Sequence, residues 1–129
     1  SGELSLVNAG HDGPWRVSAD GRVEQITCPT DAGGPPLCVI DDFSYVAQKL
    51  SLSPGDTLCL ITDGVTEAMN VQHEQYGAKR LESVLQTTDG KALPPEVVAR
   101  LKESLAAFVG QAEASDDMTM LVLRWAGRK

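Results

Sequence analysis

The chain has 129 residues, of which 42% are apolar, so it is long enough for one domain with a core of its own. Eleven basic residues against eighteen acidic ones give a net charge of −7, and the basic residues are scattered, which argues against nucleic acid and anionic lipid as partners. The sequence has no apolar run of membrane-spanning length, no secretory leader and three cysteines without paired spacing, so we expect a soluble, reduced, cytoplasmic protein.

The N-terminal part of the chain is predicted to be an antiparallel β-meander. A hairpin is indicated by Asp20-Gly21, because this dipeptide lies between two short apolar runs. The proline- and glycine-rich residues 29–36 are expected to form a loop, and alternation of apolar and polar residues resumes after it. The predicted strands are residues 4–7, 15–18, 23–26 and 43–50.

Residues 57–62 are predicted to be the central strand. The run is apolar without alternation, which indicates burial on both faces, and Cys59 within it is interpreted as a small hydrophobic residue. The strand leads directly into Asp63-Gly64, which places a carboxylate at the end of a rigid element, next to a residue that permits close backbone approach. A carboxylate in that position is typical of catalysis or metal binding, although a simple strand-ending turn also fits.

The second half of the chain is predicted to contain two helices and a last strand. Residues 76–87 have helical spacing of apolar side chains, and a second helix is expected from Pro94-Pro95 to Gly110. Residues 118–125 form another nearly continuous apolar run, and Asp116 and Asp117 stand directly before it. The apolar stripe of the second helix, which we interpret as core, consists of Val97, Val98, Leu101, Leu105, Phe108 and Val109.

Aspartates therefore mark one end of each buried strand. If the two strands are antiparallel neighbours, Asp63 and Asp116 converge within reach of one Mg²⁺ or Mn²⁺ ion. Carboxylates held that close repel each other, and a divalent cation relieves the repulsion. The alternative is that these aspartates are turn residues facing water.

Four segments carry a resemblance to a known family. Residues 8–11 read Asn-Ala-Gly-His, residues 55–70 contain Thr62-Asp63-Gly64, Tyr76-Gly77 follows, and residues 116–119 read Asp-Asp-Met-Thr. In order and spacing these segments resemble the SpoIIE/RsbU-like branch of the metal-dependent protein phosphatases (PPM, type 2C). The resemblance implies an α+β fold, an α-β-β-α sandwich of antiparallel sheets flanked by helices. It also implies two Mg²⁺ or Mn²⁺ ions at one edge, which activate a water molecule for hydrolysis of phosphoserine or phosphothreonine.

The resemblance assigns roles to individual positions. Asp63 resembles the metal-binding aspartate of the family's Thr-Asp-Gly motif, Asp116 resembles that of its last motif, and Asp117 stands where relatives have Asp or Asn. The predicted metal site therefore comprises Asp63, Gly64, Asp116 and Asp117, with no catalytic side chain besides the metal-activated water. The substrate that the resemblance implies is a phosphorylated anti-anti-sigma factor, which would place the chain in sigma-factor signalling.

Other polar residues receive structural interpretations. His11, in its glycine-rich loop, is expected to order that loop by hydrogen bonding rather than to act as a general acid. Glu67 is expected to bond or cap the loop backbone, and His73 to be solvated. Cys38 stands where relatives often have glycine, which makes the local turn unusual.

The sequence also departs from the family. It contains neither the Asp-x-x-Gly-His-Gly segment, whose aspartate bridges both ions, nor the earlier Gly-Gly-Asp segment. Residues 1–129 are thus expected to be the C-terminal portion of a phosphatase domain, able to hold at most one ion and with negligible activity when isolated. Uncovered sheet edges in such a portion predict self-association, for example a homodimer.

Two alternative functions remain open at this stage. A catalytically inactive pseudophosphatase that docks a signalling partner would keep the fold without binding an ion. A hydrolase that uses the carboxylates as an acid and base pair would need an aromatic sugar platform, and two Trp, two Tyr and two Phe supply little of one.

Overall fold

The computed structural model of the chain describes residues 1–113 and 117–128. These residues form two antiparallel sheets and three helices, which is the α+β class predicted from the sequence. The larger sheet contains four strands, which in spatial order are β3 (Val23–Gln25), β2 (Trp15–Val17), β5 (Thr57–Ile61) and β6 (Met120–Arg124). The smaller sheet pairs β1 (Glu3–Leu6) with β4 (Gln48–Ser51).

Strand β5 is the central strand, as predicted. It pairs antiparallel with β2 on one side and with β6 on the other, in a register that sets Ile61 opposite Met120. Cys59 faces the core beneath the helices, whereas Leu58 contributes to a second core on the opposite face, so β5 is buried on both sides. Burial raises the pKa of the Cys59 thiol to about 12, which makes this cysteine a small apolar residue rather than a nucleophile.

The three helices lie on one face of the larger sheet. They are the short α1 (Asp63–Thr66), α2 (Gly77–Thr87) and α3 (Pro94–Val109). The first turn of α3 contains proline and Gly110 follows its last residue, as the sequence predicts, and Val97, Leu101 and Leu105 are buried against the sheet. No helix in the described part of the chain is long and apolar enough to cross a membrane.

The smaller sheet covers the other face. Leu4 and Leu50, one from each of its strands, pack against a cluster built on Ile26, Leu52 and Leu58, so the two sheets stack face to face. Within residues 1–113 and 117–128 each helix contributes to the first core and none to this second one. The described residues therefore form one helical layer and two sheets of the predicted sandwich.

Two predictions about the first fifty residues are wrong. The N-terminal part is not a simple meander, because β1 pairs with β4 rather than with β2. The strand predicted over residues 43–50 starts only at Gln48, since Phe43 and Tyr45 stack edge to face, with ring centres 4.9 Å apart, and the Tyr45 hydroxyl donates to the Pro35 carbonyl at 2.7 Å. The aromatic pair thus closes a loop where alternation alone indicates a strand.

Candidate functional site

The end of β5 and the start of β6 are joined through Thr62. Its N–H donates to the Thr119 carbonyl at 3.1 Å, and its hydroxyl oxygen accepts the Thr119 N–H at 2.9 Å. The same hydroxyl lies 3.4 Å from the carbonyl oxygen of Asp117, to which it donates. Asp63 follows Thr62 as the first residue of α1, so these hydrogen bonds fix the position of the Asp63 backbone.

Gly64 lies directly against this junction. A Cβ atom at Gly64 would stand 2.1 Å from the carbonyl oxygen of Asp117, well inside van der Waals contact. Glycine is therefore required at this position by the close approach of two backbones. Three of the four residues predicted for the metal site, Asp63, Gly64 and Asp117, are thus neighbours, and the fourth, Asp116, lies outside the described residues. Their role as metal ligands stays a prediction.

These residues border a hollow of about 340 Å³ on the protein surface. Its other wall is the loop that follows β1, which holds the Asn-Ala-Gly-His segment recognised in the sequence. The lining residues are Gly10, His11, Asp12, Thr62, Asp63, Gly64, Asp117 and Thr119.

Asp12 is the residue of this hollow that the sequence interpretation missed. Its carboxyl hydrogen-bonds the carboxyl of Asp63, and this contact, followed by burial and by the negative charge of Asp63, raises the pKa of Asp12, while the nearby His11 acts in the opposite direction. Two carboxyl groups in such close contact repel each other when both are ionised, and either a proton or a cation between them relieves the repulsion. In the sequence, the only feature that points to Asp12 as a site residue is its position immediately after the Asn-Ala-Gly-His segment.

Asn8 holds the loop that carries Asp12. Its side-chain oxygen accepts the His11 N–H at 2.8 Å, and its side-chain amide donates to the His11 carbonyl at 2.7 Å. The His11 ring nitrogen Nδ1 lies 2.8 Å from the Asp12 carbonyl oxygen, which agrees with the loop-ordering role expected of this histidine. His11 and Asp12 are therefore held on a turn with fixed hydrogen bonds.

Glu67 directly follows α1, and its backbone N–H donates to the Asp63 carbonyl at 2.8 Å. The role expected of its side chain stays a prediction. His73 is exposed in the turn before α2, and neither residue lines the hollow.

The donor set of the hollow suits a hard divalent cation in part. Carboxylate and backbone carbonyl oxygens are the ligands that Mg²⁺ and Mn²⁺ prefer, and the carboxyl groups of Asp12 and Asp63 lie together at this point. However, no three Asp, Glu, His or Cys side chains of residues 1–113 and 117–128 are placed to hold an ion together. The residues present fit one portion of a metal site.

Comparison with known proteins identifies relatives over nearly the whole chain. A family model described as Stage II sporulation protein E (SpoIIE) matches residues 1–126. Protein IcfG of Synechocystis sp. is 27% identical over 123 residues, which are 95% of this chain and 18% of IcfG.

Solved structures show the same fold. The SiaA-PP2C domain of Pseudomonas aeruginosa superposes with a TM-score of 0.74 at 24% identity, over 96% of this chain and 47% of that one. The PP2C phosphatase domain of SpoIIE from Bacillus subtilis, with a fragment of its regulatory domain, gives 0.70 at 20% identity, over 95% of this chain and 34% of that one. The RsbU and RsbW domains of Rv1364c from Mycobacterium tuberculosis superpose with a TM-score of 0.65 at 25% identity, over 100% of this chain and 34% of that one. These matches confirm the PP2C-type fold, and the chain spans less than half the length of each of these relatives.

Proposed function

The chain belongs to the SpoIIE family, and from this premise we propose that it forms part of a metal-dependent phosphatase that hydrolyses phosphoserine or phosphothreonine on a signalling protein. The observation that carries the proposal is the convergence of Asp63, Gly64 and Asp117 on one hollow at the junction of β5 and β6. Membership of a family whose structural neighbours are PP2C phosphatases leaves no support for the acid and base hydrolase considered from the sequence.

The polar residues at the junction of β5 and β6 have definite tasks in this proposal. The carboxylate of Asp63 and the backbone at Gly64 would hold Mg²⁺ or Mn²⁺ together with Asp117 and with Asp116, which we assign from the sequence. Asp12 adds a second carboxylate through its contact with Asp63. The ions, when bound, supply polarisation of the phosphoryl group and activation of a water molecule. Thr62 and Thr119 keep the two strand ends in register and so fix the spacing of the aspartates.

We expect the isolated chain to have negligible phosphatase activity. A two-metal mechanism needs a carboxylate that bridges both ions, and the described residues provide no cluster of three metal-binding side chains. The alternative function, a catalytically inactive partner-binding module in the same signalling role, stays open beside this expectation.

A titration with Mn²⁺, monitored by calorimetry, tests the proposed site. We expect the chain to bind Mn²⁺ and both Asp63→Ala and Asp116→Ala to lose this binding, because each removes a negative ligand. Glu103→Ala, an exposed residue of α3, removes the same charge elsewhere and should leave binding unchanged. Binding that survives both aspartate substitutions would contradict the proposed site. If the wild-type chain binds no Mn²⁺, the same titration on a complete SpoIIE-type domain that contains this chain decides between a site that needs further segments and the partner-binding module, because only the latter predicts no binding there either.

The substrate that we propose is a phosphorylated anti-anti-sigma factor in the cytoplasm, which rests on the motif resemblance. Phosphate release from such a protein by a complete SpoIIE-type domain that contains this chain is the measurement that checks it. Release from an unrelated phosphoprotein at the same rate would argue against this specificity.

The homodimer predicted from the sequence is best supported at β6. This strand is an edge of the larger sheet, and its Leu121 is 57% exposed. The backbone groups of Thr119 and Trp125 form hydrogen bonds with β5 and its flanking residues. Because backbone groups point alternately to the two sides of a strand, the N–H of Val122, at the centre of β6, points away from β5. A second β6 in antiparallel orientation would satisfy it and would bring the exposed leucines of both copies together.

Light scattering at rising protein concentration tests this dimer. We expect a dimer for the wild type and a monomer for Val122→Pro, because proline removes the outward N–H without removing a bond to β5. A wild-type chain that stays monomeric at high concentration would contradict the prediction.

A further inference from the structure

The connection between β3 and β4 presents a group of apolar side chains to solvent. Leu37 is 70% exposed, Val39 66% and Ile40 54%, and Phe43 is exposed beside them. Apolar side chains that are neighbours on a surface mark interaction sites far more often than scattered ones do. We call residues 36–43 the apolar loop.

The base of the apolar loop is closed by specific contacts. The Gly33 N–H donates to the Val46 carbonyl at 2.8 Å, and the Tyr45 hydroxyl donates to the Pro35 carbonyl at 2.7 Å. Phe43 packs so closely on Gly34 that a Cβ there would lie 2.3 Å from its ring. The exposed tip thus stands on an ordered base, which is the construction of a compact Ω-loop.

The same base packs against the wall of the candidate site. The Gly34 N–H donates to the Asn8 carbonyl at 2.9 Å, and Gly10, which has a φ of 75°, lies so near to Pro36 that a Cβ would stand 2.6 Å from the proline ring. Asn8 and Gly10 belong to the turn that places His11 and Asp12 in the hollow. The base of the apolar loop therefore contacts the turn that forms one wall of the hollow, so the loop and the hollow are neighbours.

Charge indicates which partner this surface accepts. Asp41 and Asp42 lie between Ile40 and Phe43, and both are exposed, in a chain of net charge −7. A second copy docked on the same surface would bring these carboxylates against their own equivalents, which is unfavourable. A segment with aliphatic side chains flanked by lysine or arginine is complementary both to the exposed apolar side chains and to the two carboxylates.

We propose that the apolar loop is a docking surface for the phosphoprotein substrate, which inserts aliphatic side chains among Leu37, Val39 and Ile40 and places its basic residues near Asp41 and Asp42. The identity of the partner rests on the function proposed above. Docking on the apolar loop holds the phosphorylated residue beside the neighbouring hollow. The loop thereby contributes affinity for the protein part of the substrate and none for the phosphate.

Peptide binding to the chain tests this surface. The probe is a fluorescein-labelled phosphoserine peptide with two leucines and an isoleucine flanked by lysines, measured by fluorescence anisotropy. We expect the double variant Val39→Ser/Ile40→Ser to bind about tenfold more weakly, because two partly buried aliphatic side chains are lost from the complex. Leu93→Ser, which removes a side chain that is 61% exposed at the start of α3, is the matched control and should bind as the wild type does.

The unphosphorylated form of the same peptide separates docking from the phosphatase proposal. We expect it to bind with the same dependence on the apolar loop, whereas the additional affinity that phosphate confers in the presence of Mn²⁺ should disappear in Asp63→Ala. In a complete SpoIIE-type domain that contains this chain, loop-dependent binding without any such additional affinity would support docking and contradict the proposed function.

Three results would overturn the docking proposal. The first is that the peptide does not bind the wild type, and the second is that the double variant binds it as tightly as the wild type does. The third is a wild-type dimer in sedimentation that the double variant abolishes, because a second copy of the chain would then be the occupant. Unchanged thermal unfolding of the double variant, whose substitutions are on the surface, confirms that the comparison is between folded proteins.

Discussion

Replacement of Asp56 by alanine should lower the free energy of unfolding by about 3 kcal/mol. The residue precedes β5 and is only 1% exposed, yet it carries a charge. Its carboxylate forms an ion pair with Arg16 and accepts the N–H groups of Ser53 at 2.9 Å and of Ala19 at 3.0 Å. Alanine leaves all of these donors without their acceptor, and urea denaturation measures the loss.

An exposed ion pair provides the control for this prediction. Glu74 lies 3.6 Å from Arg80, and 59% of its side chain is exposed. Glu74→Ala should therefore change the free energy of unfolding by less than about 0.5 kcal/mol, because exposed ion pairs gain little in water. An equally small effect of Asp56→Ala would contradict the role given to the buried carboxylate.

The contribution of Asp56 should depend on pH. Burial alone would raise the pKa of this carboxyl, but the hydrogen bonds from Ser53, Arg16 and Ala19 together hold it below its ordinary value of 3.8. The unfolded chain therefore binds the proton more readily, so the stabilisation is present above the ordinary pKa and is lost as the pH falls through the lower folded pKa. The difference in stability between wild type and Asp56→Ala should shrink below about pH 4, and a constant difference down to pH 2 would contradict this explanation.

Local patterns in the sequence predict which segments form strands and helices better than they predict which of these segments pair with each other. Strand β5 was recognisable because both of its faces are apolar, and α3 because proline and glycine mark its ends. The pairing of β1 with β4 was missed, since it joins segments more than forty residues apart and neither carries a local sign of the other. The same holds for the contact of Asp12 with Asp63, which arises only when the loop after β1 meets the end of β5.

Substitution of Gly64 by alanine should destabilise the fold by about 2 kcal/mol and weaken Mn²⁺ binding at least about tenfold. Alanine favours the helical conformation of α1, so backbone preference alone would stabilise the chain. The added methyl group, however, would lie 2.1 Å from the Asp117 carbonyl oxygen, and the overlap forces the start of α1 away from the segment before β6. Asp63 and Asp117 then separate, and an ion held between them loses one of its ligands.

Gly77→Ala is the matched control, because it introduces backbone strain without a collision. Gly77 has a φ of 79°, and a Cβ there would meet nothing within 4 Å. The control should cost about 1 kcal/mol through its left-handed backbone and leave Mn²⁺ binding unchanged. Calorimetric titration and urea denaturation are measured on both variants. If both lose stability but only Gly64→Ala loses affinity for Mn²⁺, Gly64 maintains the spacing of Asp63 and Asp117. Unchanged affinity in Gly64→Ala would show that the two aspartates do not share an ion.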